Sequence, residues 1–229
     1  MKRFSVLSVM VVFLMMFAVS CDGKSTGLEG KVVDGKGQPL AGVKVAAKMS
    51  QPIKGYEQFE TKTGSDGTFK FKKLFPTSEY QLIFYSERWI TENKIKTESG
   101  PEGETKILPD PVTIRFMDAK GGVVLDTKTN LMWASRDNGS GINWLNAKSY
   151  CENYRGGGYT DWRIPTQDEL AGLRASGNYN HLIAISSWVW AVETRGSEAA
   201  FFIFLDGTQH WNHQSYDGGI RALPVRSGK

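Results

Sequence analysis

Alternation of apolar and polar residues marks residues 27–86, and it limits the fold of this part of the chain more than any other feature. In the clearest run, Phe69 and Phe71 alternate with Lys70 and Lys72. Successive side chains of a β-strand point to opposite faces, so the two rings would share one face and the two lysines the other. The pattern therefore predicts a strand with one face in a core and the other in water.

Turn sequences separate these alternating runs. Residues 34–37 (DGKG) and 64–67 (GSDG) have the glycine and aspartate content of tight turns. The first turn leads us to predict that residues 28–33 pair with residues 43–46 as antiparallel strands. Further strands are predicted at residues 59–63, 68–72 and 80–85. Strands this short, separated by such turns, favour a small β-sandwich.

Two segments of this part resemble a known domain. They are GLEGKVVDGKGQPLAGVKVAAK, which begins at Gly27, and TKTGSDGTFKFKKL, which begins at Thr61. Together they resemble the carboxypeptidase regulatory-like domain over about residues 27–86. The resemblance implies a transthyretin-like or immunoglobulin-like β-sandwich that serves as a spacer or stalk and contributes no catalytic residues.

The first twenty residues have the layout of a secretory signal. Lys2 and Arg3 precede an apolar run over residues 4–19, and small residues then lead to Cys21. The apolar run is shorter than the roughly 20 residues that span a bilayer. We therefore expect residues 1–20 to be removed as a signal peptide, which leaves 209 residues and lowers the net charge from +4 to +2.

The segment Ala-Val-Ser-Cys at residues 18–21 resembles the lipobox of bacterial lipoproteins. The resemblance implies that Cys21 carries acyl chains such as palmitate, which would hold the protein to a membrane. Ordinary secretion with Cys21 as a free thiol is the alternative. Residues 21–26 would then form a polar tether. The expected location is the bacterial cell envelope, either at the outer membrane or cell surface or at the periplasmic face of the inner membrane.

Charge and cysteine content argue against two classes of protein. A net charge of +2 after cleavage, with no concentrated basic run, argues against a protein that binds nucleic acid. The two cysteines are Cys21 and Cys151, and a lipid on Cys21 would leave Cys151 without a partner in the chain. We therefore expect apolar cores, rather than a disulfide framework, to stabilise the domains.

A polar stretch containing glycine and proline, at about residues 86–110, predicts a boundary between two domains. We place the sandwich and its linker at residues 27–110 and the second domain at residues 111–229. Six of the seven tryptophans lie beyond residue 130. The change in composition supports two separate cores.

Helix start signals appear twice in the second domain. Asn143 is predicted to cap one helix, and Thr166 with Glu169 is predicted to form the capping box of another. Strands are predicted after the helices at residues 188–193, 199–205, 208–212 and 220–226. This order predicts an α+β domain.

Five segments of the second domain, in order, resemble one family. They are VVLDTKTNLMWA, INWLNAKSYC, GGGYTDWRIPTQDEL, SSWVWAVET, and FFIFLDG leading to IRALPVR. Residues 112–227 thereby resemble the C-terminal domain family of a bacterial collagen-like adhesin, the Lcl C-terminal family. The resemblance implies a C-type-lectin-like fold, distantly similar to formylglycine-generating enzymes, that recognises ligands outside the cytoplasm. The adhesin that names the family attaches to sulfated polysaccharide or to host and matrix surfaces.

Two departures from the related sequences bear on the chemistry. Those sequences commonly have a second cysteine in the last strand, and residues 220–226 of this chain have none, so we expect Cys151 to be a free thiol in the core. The calcium-binding triplets of C-type lectins are also missing, and residues 211–213 (Trp-Asn-His) match one only in part. We therefore predict no calcium, no other metal and no cofactor.

Catalytic signatures are weak in this chain. No Gly-x-Ser-x-Gly segment is present. His210 and His213 are three residues apart, which puts them on opposite faces of a strand, so shared zinc ligation would require a turn. We predict that the chain is not an enzyme and has no catalytic residues, and a divergent enzyme is the least favoured alternative.

Polar and aromatic side chains lie together near the C-terminus. Aromatic faces beside amide groups suit sugars or peptide side chains, although a tryptophan in such a domain is more often part of the core. The leading hypothesis is a membrane-anchored envelope lipoprotein whose second domain binds a polysaccharide or a protein, and the alternative is a non-catalytic scaffold subunit of an envelope complex. The predicted ligand site consists of His210, Trp211, Asn212, His213, Gln214 and Tyr216.

Overall fold

The computed structural model describes residues 24–86, 94–177, 183–186 and 188–228. Over these residues the chain is mostly β structure, arranged in four sheets with two α-helices. Cys21 and the predicted signal peptide lie outside the described residues. Within the described part, no helix is long and apolar enough to cross a membrane.

Two sheets face each other across one core in the first half of the chain. One sheet has the order β4-β1-β7, with β8 also paired to β1, and the other has the order β3-β2-β5-β6. The strands are β1 (Thr26–Asp34), β2 (Lys44–Met49), β3 (Gln58–Lys62), β4 (Thr68–Leu74), β5 (Glu79–Tyr85), β6 (Lys94–Glu98), β7 (Thr105–Ile107) and β8 (Val112–Ile114).

The predicted pairing of residues 28–33 with residues 43–46 is wrong. Strand β1 pairs with β4, and strand β2 pairs with β3 and β5. Leu28 on β1 and Val45 on β2 are both fully buried in the same core. The two runs therefore lie in opposite sheets and meet through their side chains rather than through backbone hydrogen bonds.

Gly30 on β1 allows the sandwich to close around Phe69. A Cβ atom at position 30 would lie 2.6 Å from the Phe69 ring, closer than van der Waals contact permits. The alternation predicted for this region is confirmed, because Phe69 and Phe71 are buried while Lys70 and Lys72 are exposed. The glycine and the large ring thus form a complementary pair in the core.

The second half of the chain has two antiparallel sheets and two helices. One sheet has the order β15-β11-β10-β9, and the other, which we call the three-stranded sheet, has the order β12-β13-β14. The elements are β9 (Phe116–Lys120), β10 (Val123–Asp126), β11 (Leu131–Ala134), α1 (Trp144–Asn153), α2 (Gln167–Ala175), β12 (Trp188–Arg195), β13 (Glu198–Ile203), β14 (Gln209–His213) and β15 (Val225–Ser227). The predicted last strand at 220–226 is therefore shorter than expected.

Both predicted helix starts are confirmed. The Asn143 side chain accepts a hydrogen bond from the Asn146 N–H at 3.0 Å. Thr166 and Glu169 form the capping box of α2, and Glu169 also pairs with Arg163. Burial acts to raise the pKa of Glu169, but the hydrogen bonds from Arg163 and Thr166 outweigh it and lower that pKa. The carboxylate therefore stays ionised where it holds the helix start.

The three-stranded sheet is covered by apolar residues on both faces. One face packs with Leu170 and Leu173 of α2, and Val189 and Phe202 belong to that cluster. The other face packs with residues of α1, including Cys151. This face includes Trp190, Ala199 and Phe201. The sheet is thus a layer whose two sides meet different helices.

The chain passes from the first core to the second within two residues. Val112 and Ile114 are buried in the first core, whereas Phe116 is buried in the second. The change of core falls a few residues after the boundary that composition places at residue 110, because β8 adds to the edge of β1. The Gly35 N–H also donates to the Thr127 Oγ1 at 2.9 Å, which joins the two halves directly.

Candidate functional site

Three aromatic rings lie in contact on one face of the three-stranded sheet. The ring centroids of Trp188 and Phe201 are 5.8 Å apart, and those of Phe201 and His210 are 5.5 Å apart with the planes inclined by 28°. Trp188 is 37% exposed and His210 is also exposed, whereas Phe201 is buried between them. We call Trp188, Phe201 and His210 the aromatic face.

Strand register explains why these rings share a face. In the antiparallel ladders Trp190 lies opposite Phe201, and Phe201 lies opposite His210. Residues that are directly opposite project to the same side of a sheet, and Trp188 follows by the two-residue period of β12. Trp190 is fully buried, and its Nε1–H donates to the Ile142 carbonyl at 2.7 Å. The buried tryptophan thus fixes the sheet beneath the exposed rings.

Polar side chains border the aromatic face at its β13–β14 turn. The Thr208 hydroxyl lies 2.9 Å from His210 Nε2 and donates to an Asp206 carboxylate oxygen at 2.6 Å. The hydrogen bonds from Thr208 lower the pKa of the exposed Asp206. Asn212 lies two residues from His210 and therefore projects to the same side. The rings thus have hydrogen-bonding groups beside them, and one of these groups is the ionised carboxylate of Asp206.

Trp211 projects to the opposite side of β14. Its ring packs against the core shared with α2, and the Arg195 guanidinium lies 4.4 Å from the ring centroid. Arg195 in turn pairs with Glu198 at 2.8 Å. Trp211 is therefore held in a contact of its own and is separated from the aromatic face by the sheet.

The other predicted site residues bond to nearby turns: His213 and Tyr216 within their own turn, and Gln214 to the turn between β12 and β13. His213 Nδ1 lies 2.7 Å from the Ser215 hydroxyl oxygen. The Gln214 side-chain amide donates to the carbonyls of Gly196 and Glu198, and the Tyr216 hydroxyl donates to the Gly218 carbonyl. The six predicted residues therefore do not converge on one point, and the structure brings only His210 and Asn212 to the side that carries the aromatic face.

Comparison with known proteins identifies the second half of the chain. The family model of the Lcl C-terminal domain matches residues 122–226. Residues 122–226 form an Lcl C-terminal domain. The resemblance seen in the sequence segments is thereby confirmed for this part of the chain.

Solved structures show only distant similarity to this chain. The dioxygenase domain of a dioxygenase carbohydrate-binding protein fusion from Streptomyces sp. SirexAA-E is 17% identical, with 41% of this chain and 84% of that chain covered and a TM-score of 0.28. A DUF3823 family protein from Bacteroides ovatus is 16% identical, with 49% of this chain and 62% of that chain covered and a TM-score of 0.31. Neither similarity supports a conclusion about function. No curated protein matches the chain.

Reasoning from the sequence missed two members of the aromatic face in the Lcl C-terminal domain. Trp188 and Phe201 lie in predicted strands, but strand prediction alone does not show which rings reach the surface. The period-two spacing of Trp188 and Trp190 was the available signal, because it puts both rings on one face. The Cα register of β13 against β14 was needed to bring His210 to the same place.

Metal ligands and a reactive thiol are the two kinds of reactive group to look for in the Lcl C-terminal domain. Over the described residues, no group of three His, Cys, Asp or Glu side chains is placed to hold a metal ion. Cys151 is fully buried, and burial raises the pKa of its thiol from 9.0 to about 12, with a smaller contribution from Glu152. A thiolate nucleophile is therefore scarcely populated at neutral pH.

Proposed function

We propose that this chain is a lipid-anchored envelope protein whose Lcl C-terminal domain binds a carbohydrate through the aromatic face, with the first half of the chain as a stalk. The observation that carries the proposal is the exposure of Trp188 beside Phe201 and His210. This arrangement offers flat apolar surface next to hydrogen-bonding groups, as sugar rings require. A C-type-lectin-like fold is part of the same proposal.

The exposure of Trp188 is unusual within this chain. Trp133, Trp144, Trp162 and Trp190 are between 0% and 9% exposed, whereas Trp188 is 37% exposed. The cores can therefore bury tryptophan rings, and the position of Trp188 at the surface has to be explained in another way. Exposed aromatic clusters on a rigid scaffold are commonly binding surfaces.

The charge of the aromatic face favours a neutral carbohydrate over a sulfated one. The charge that the structure shows at its border is negative, because the Asp206 carboxylate accepts a hydrogen bond from Thr208, whose hydroxyl lies beside His210. Residues 112–229 contain twelve Lys or Arg against eleven Asp or Glu, so there is almost no surplus of positive charge. Binding of a sulfated polysaccharide would need lysine or arginine side chains gathered beside the rings.

A binding experiment with two matched tryptophan variants tests the carbohydrate proposal. The full chain is mixed with insoluble neutral polysaccharides, namely cellulose, chitin and xylan, and with heparin as the sulfated comparison. We expect Trp188→Ala to weaken binding to a neutral polysaccharide about tenfold, which corresponds to ~1.4 kcal/mol. Trp211→Ala, on the other side of the sheet, should bind like the unmodified chain. Equal loss in both variants, or binding to heparin alone, would contradict the proposal.

A labelling experiment tests the anchor. Acylation of Cys21 would place the buried hydrocarbon needed for membrane attachment just before β1, which begins at Thr26. Cells grown with radiolabelled palmitate should label the unmodified chain and leave Cys21→Ser unlabelled. The variant should also move from the membrane fraction to the soluble fraction. Label retained in Cys21→Ser would overturn the assignment.

A further inference from the structure

Strand β14 forms an open edge of the three-stranded sheet, since in the described residues it pairs with β13 alone. The Ile203 N–H donates to the Thr208 carbonyl at 2.9 Å, and the Gln214 N–H donates to the Ser197 carbonyl at 2.9 Å. Thr208 and Gln214 thus belong to hydrogen-bonded pairs of the ladder, and such pairs alternate with pairs that are not hydrogen-bonded. His210, two residues after Thr208, therefore bonds to β13, whereas its neighbours Gln209 and Trp211 do not. The backbone groups of those neighbours therefore point away from the sheet.

Some of the outward backbone N–H and C=O groups of β14 have hydrogen-bond partners and others do not. His213 uses both of its groups, because its N–H donates to the Asn212 side chain and its carbonyl accepts from the Tyr216 N–H. For the outward N–H and C=O of Gln209 and Trp211, the described part of the chain provides no partner. Gln209 is exposed and Trp211 is half-buried. This edge can therefore accept another strand.

The opposite edge of the same sheet is closed. The Trp190 N–H donates to the Arg221 carbonyl at 2.9 Å, and the Arg221 N–H donates to the Trp188 carbonyl at 2.9 Å. Natural edge strands are usually blocked by lysine, proline or a bulge. The β14 sequence, QHWNH, contains neither lysine nor proline, and its ladder with β13 has no register shift. One edge is thus protected, while the other has none of these blocking features.

We propose that a second copy of this chain pairs with β14, antiparallel and about a two-fold axis at His210. In this register Gln209 of each copy lies opposite Trp211 of the other. The N–H and C=O of Gln209 then hydrogen-bond to the C=O and N–H of Trp211 in the other copy, and the reverse holds for Trp211. Each free outward group of these two residues thereby gains a partner. The register follows from which groups are free, because an axis at Trp211 would require the groups that His213 already uses.

Side-chain chemistry favours a second copy as the occupant. The five residues of β14 include no Lys, Arg, Asp or Glu, so identical strands can meet without placing such charges opposite each other. On one side of the new pair, the amide of Gln209 meets the Trp211 ring. On the other side, the two His210 residues meet on the axis.

The pairing would join the two aromatic faces. His210 lies at the β14 end of the row of rings that begins at Trp188, so the axis would place the two rows end to end. The partner copy would then contribute its own His210 and Phe201 to one continuous surface. Only this consequence for ligand binding rests on the proposed function, and the pairing itself does not.

Cysteine cross-linking of the full chain in membranes tests the register. Residues that face each other across an axis without hydrogen bonding between them have Cα atoms about 4.5 Å apart, within the range that a disulfide spans. Mild oxidation of His210→Cys should therefore give a covalent dimer. In Asn212→Cys, the matched control on the same side of β14, the two cysteines would be offset by about four residues, or ~13 Å, and should not cross-link. The unmodified chain controls for Cys21 and Cys151.

The outcomes separate clearly. A dimer in His210→Cys without one in Asn212→Cys supports the proposal. No dimer in His210→Cys, equal dimers in both variants, or a cross-link to a different protein overturns it. His210→Lys provides a second measurement, because two cations would then face each other on the axis. Without cross-linking, the mass of this variant should fall to that of a monomer. Neither result depends on carbohydrate binding, which Trp188→Ala measures separately.

Discussion

The guanidinium of Arg226 is fully buried and forms two hydrogen bonds to the carboxylate of Asp161, at 2.7 and 3.0 Å. The Asp161 side chain is 53% exposed, so a charge inside the domain is paired with one at its surface. The Tyr159 ring lies 3.9 Å from the guanidinium carbon. The Met132 sulfur accepts a further hydrogen bond from the same guanidinium. Asp161, Tyr159 and Met132 thus all contact one buried cation on the last strand.

Replacing Asp161 by alanine should destabilise the domain. Loss of one partner of a buried ion pair costs several kcal/mol, and the exposure of Asp161 reduces this, so we expect a loss of about 2 kcal/mol in the free energy of unfolding. Urea denaturation measures the change, with Asp217→Ala as an exposed control. Equal stability of the two variants would show that water replaces the carboxylate without cost.

The capping box of α2 gives a second prediction. Thr166→Ala removes the acceptor for the Glu169 N–H and should lower the free energy of unfolding by about 1 kcal/mol. Thr166→Ser keeps the hydroxyl and should be close to the unmodified chain. Thermal unfolding followed by circular dichroism compares the two variants. A loss of the same size in the serine variant would point to packing of the methyl group instead.

Cys151 should make stability fall at high pH. The pKa of its thiol is about 12 in the folded protein against 9.0 when unperturbed, so the unfolded chain loses this proton first as pH rises. The contribution of the Cys151 thiol to the free energy of unfolding is therefore constant below pH 9. It is lost progressively between pH 9 and 12, with a slope of up to ~1.4 kcal/mol per pH unit.

The measurement is the difference in unfolding free energy between the unmodified chain and Cys151→Ala at a series of pH values. Other titrating groups are common to both chains and cancel. This difference should be flat below pH 9 and should shrink above it. At pH 8 the folded protein should also resist alkylation by iodoacetamide at Cys151 until denaturant is added. A pH-independent difference, or rapid alkylation at Cys151 of the folded form, would contradict the burial of this thiol.

Gly30 and Phe69 should behave as a coupled pair. Gly30→Ala places a methyl group against the Phe69 ring and should cost about 1–3 kcal/mol through overpacking. Phe69→Leu alone leaves a space and should also destabilise. Together the two changes should cost less than the sum of the single ones, which a double-mutant cycle by urea denaturation measures. Additive losses would show that the methyl group is accommodated elsewhere.

Local signals in the sequence predicted local structure well. Both helix starts were predictable, because a cap is made by residues three positions apart, as between Asn143 and Asn146. The burial of Phe69 and Phe71 was predictable from alternation. The pairing of β1 was not, since alternation shows that a strand has an apolar face but does not show which strand lies beside it.

The candidate site was harder to predict for a related reason. The predicted strand at 208–212 already implied that His210 and Trp211 project to opposite sides of a sheet, but the predicted ligand site grouped them by their closeness along the chain. Trp188 is 22 positions from His210 along the chain, and the two residues belong to one surface only through Phe201 on the strand between them. Long-range register, rather than composition, determines the aromatic face.

Strand β8 lies parallel to β1, with Val32 opposite Val112 and Asp34 opposite Ile114. With an anchor at Cys21, tension on a bound ligand would pull β1 from its beginning and β8 from its end. Two parallel neighbours pulled in this way slide along each other, so their hydrogen bonds bear the force together instead of opening one after another. Under the proposed anchoring and ligand binding, the junction between the two halves of the chain would therefore resist mechanical extension.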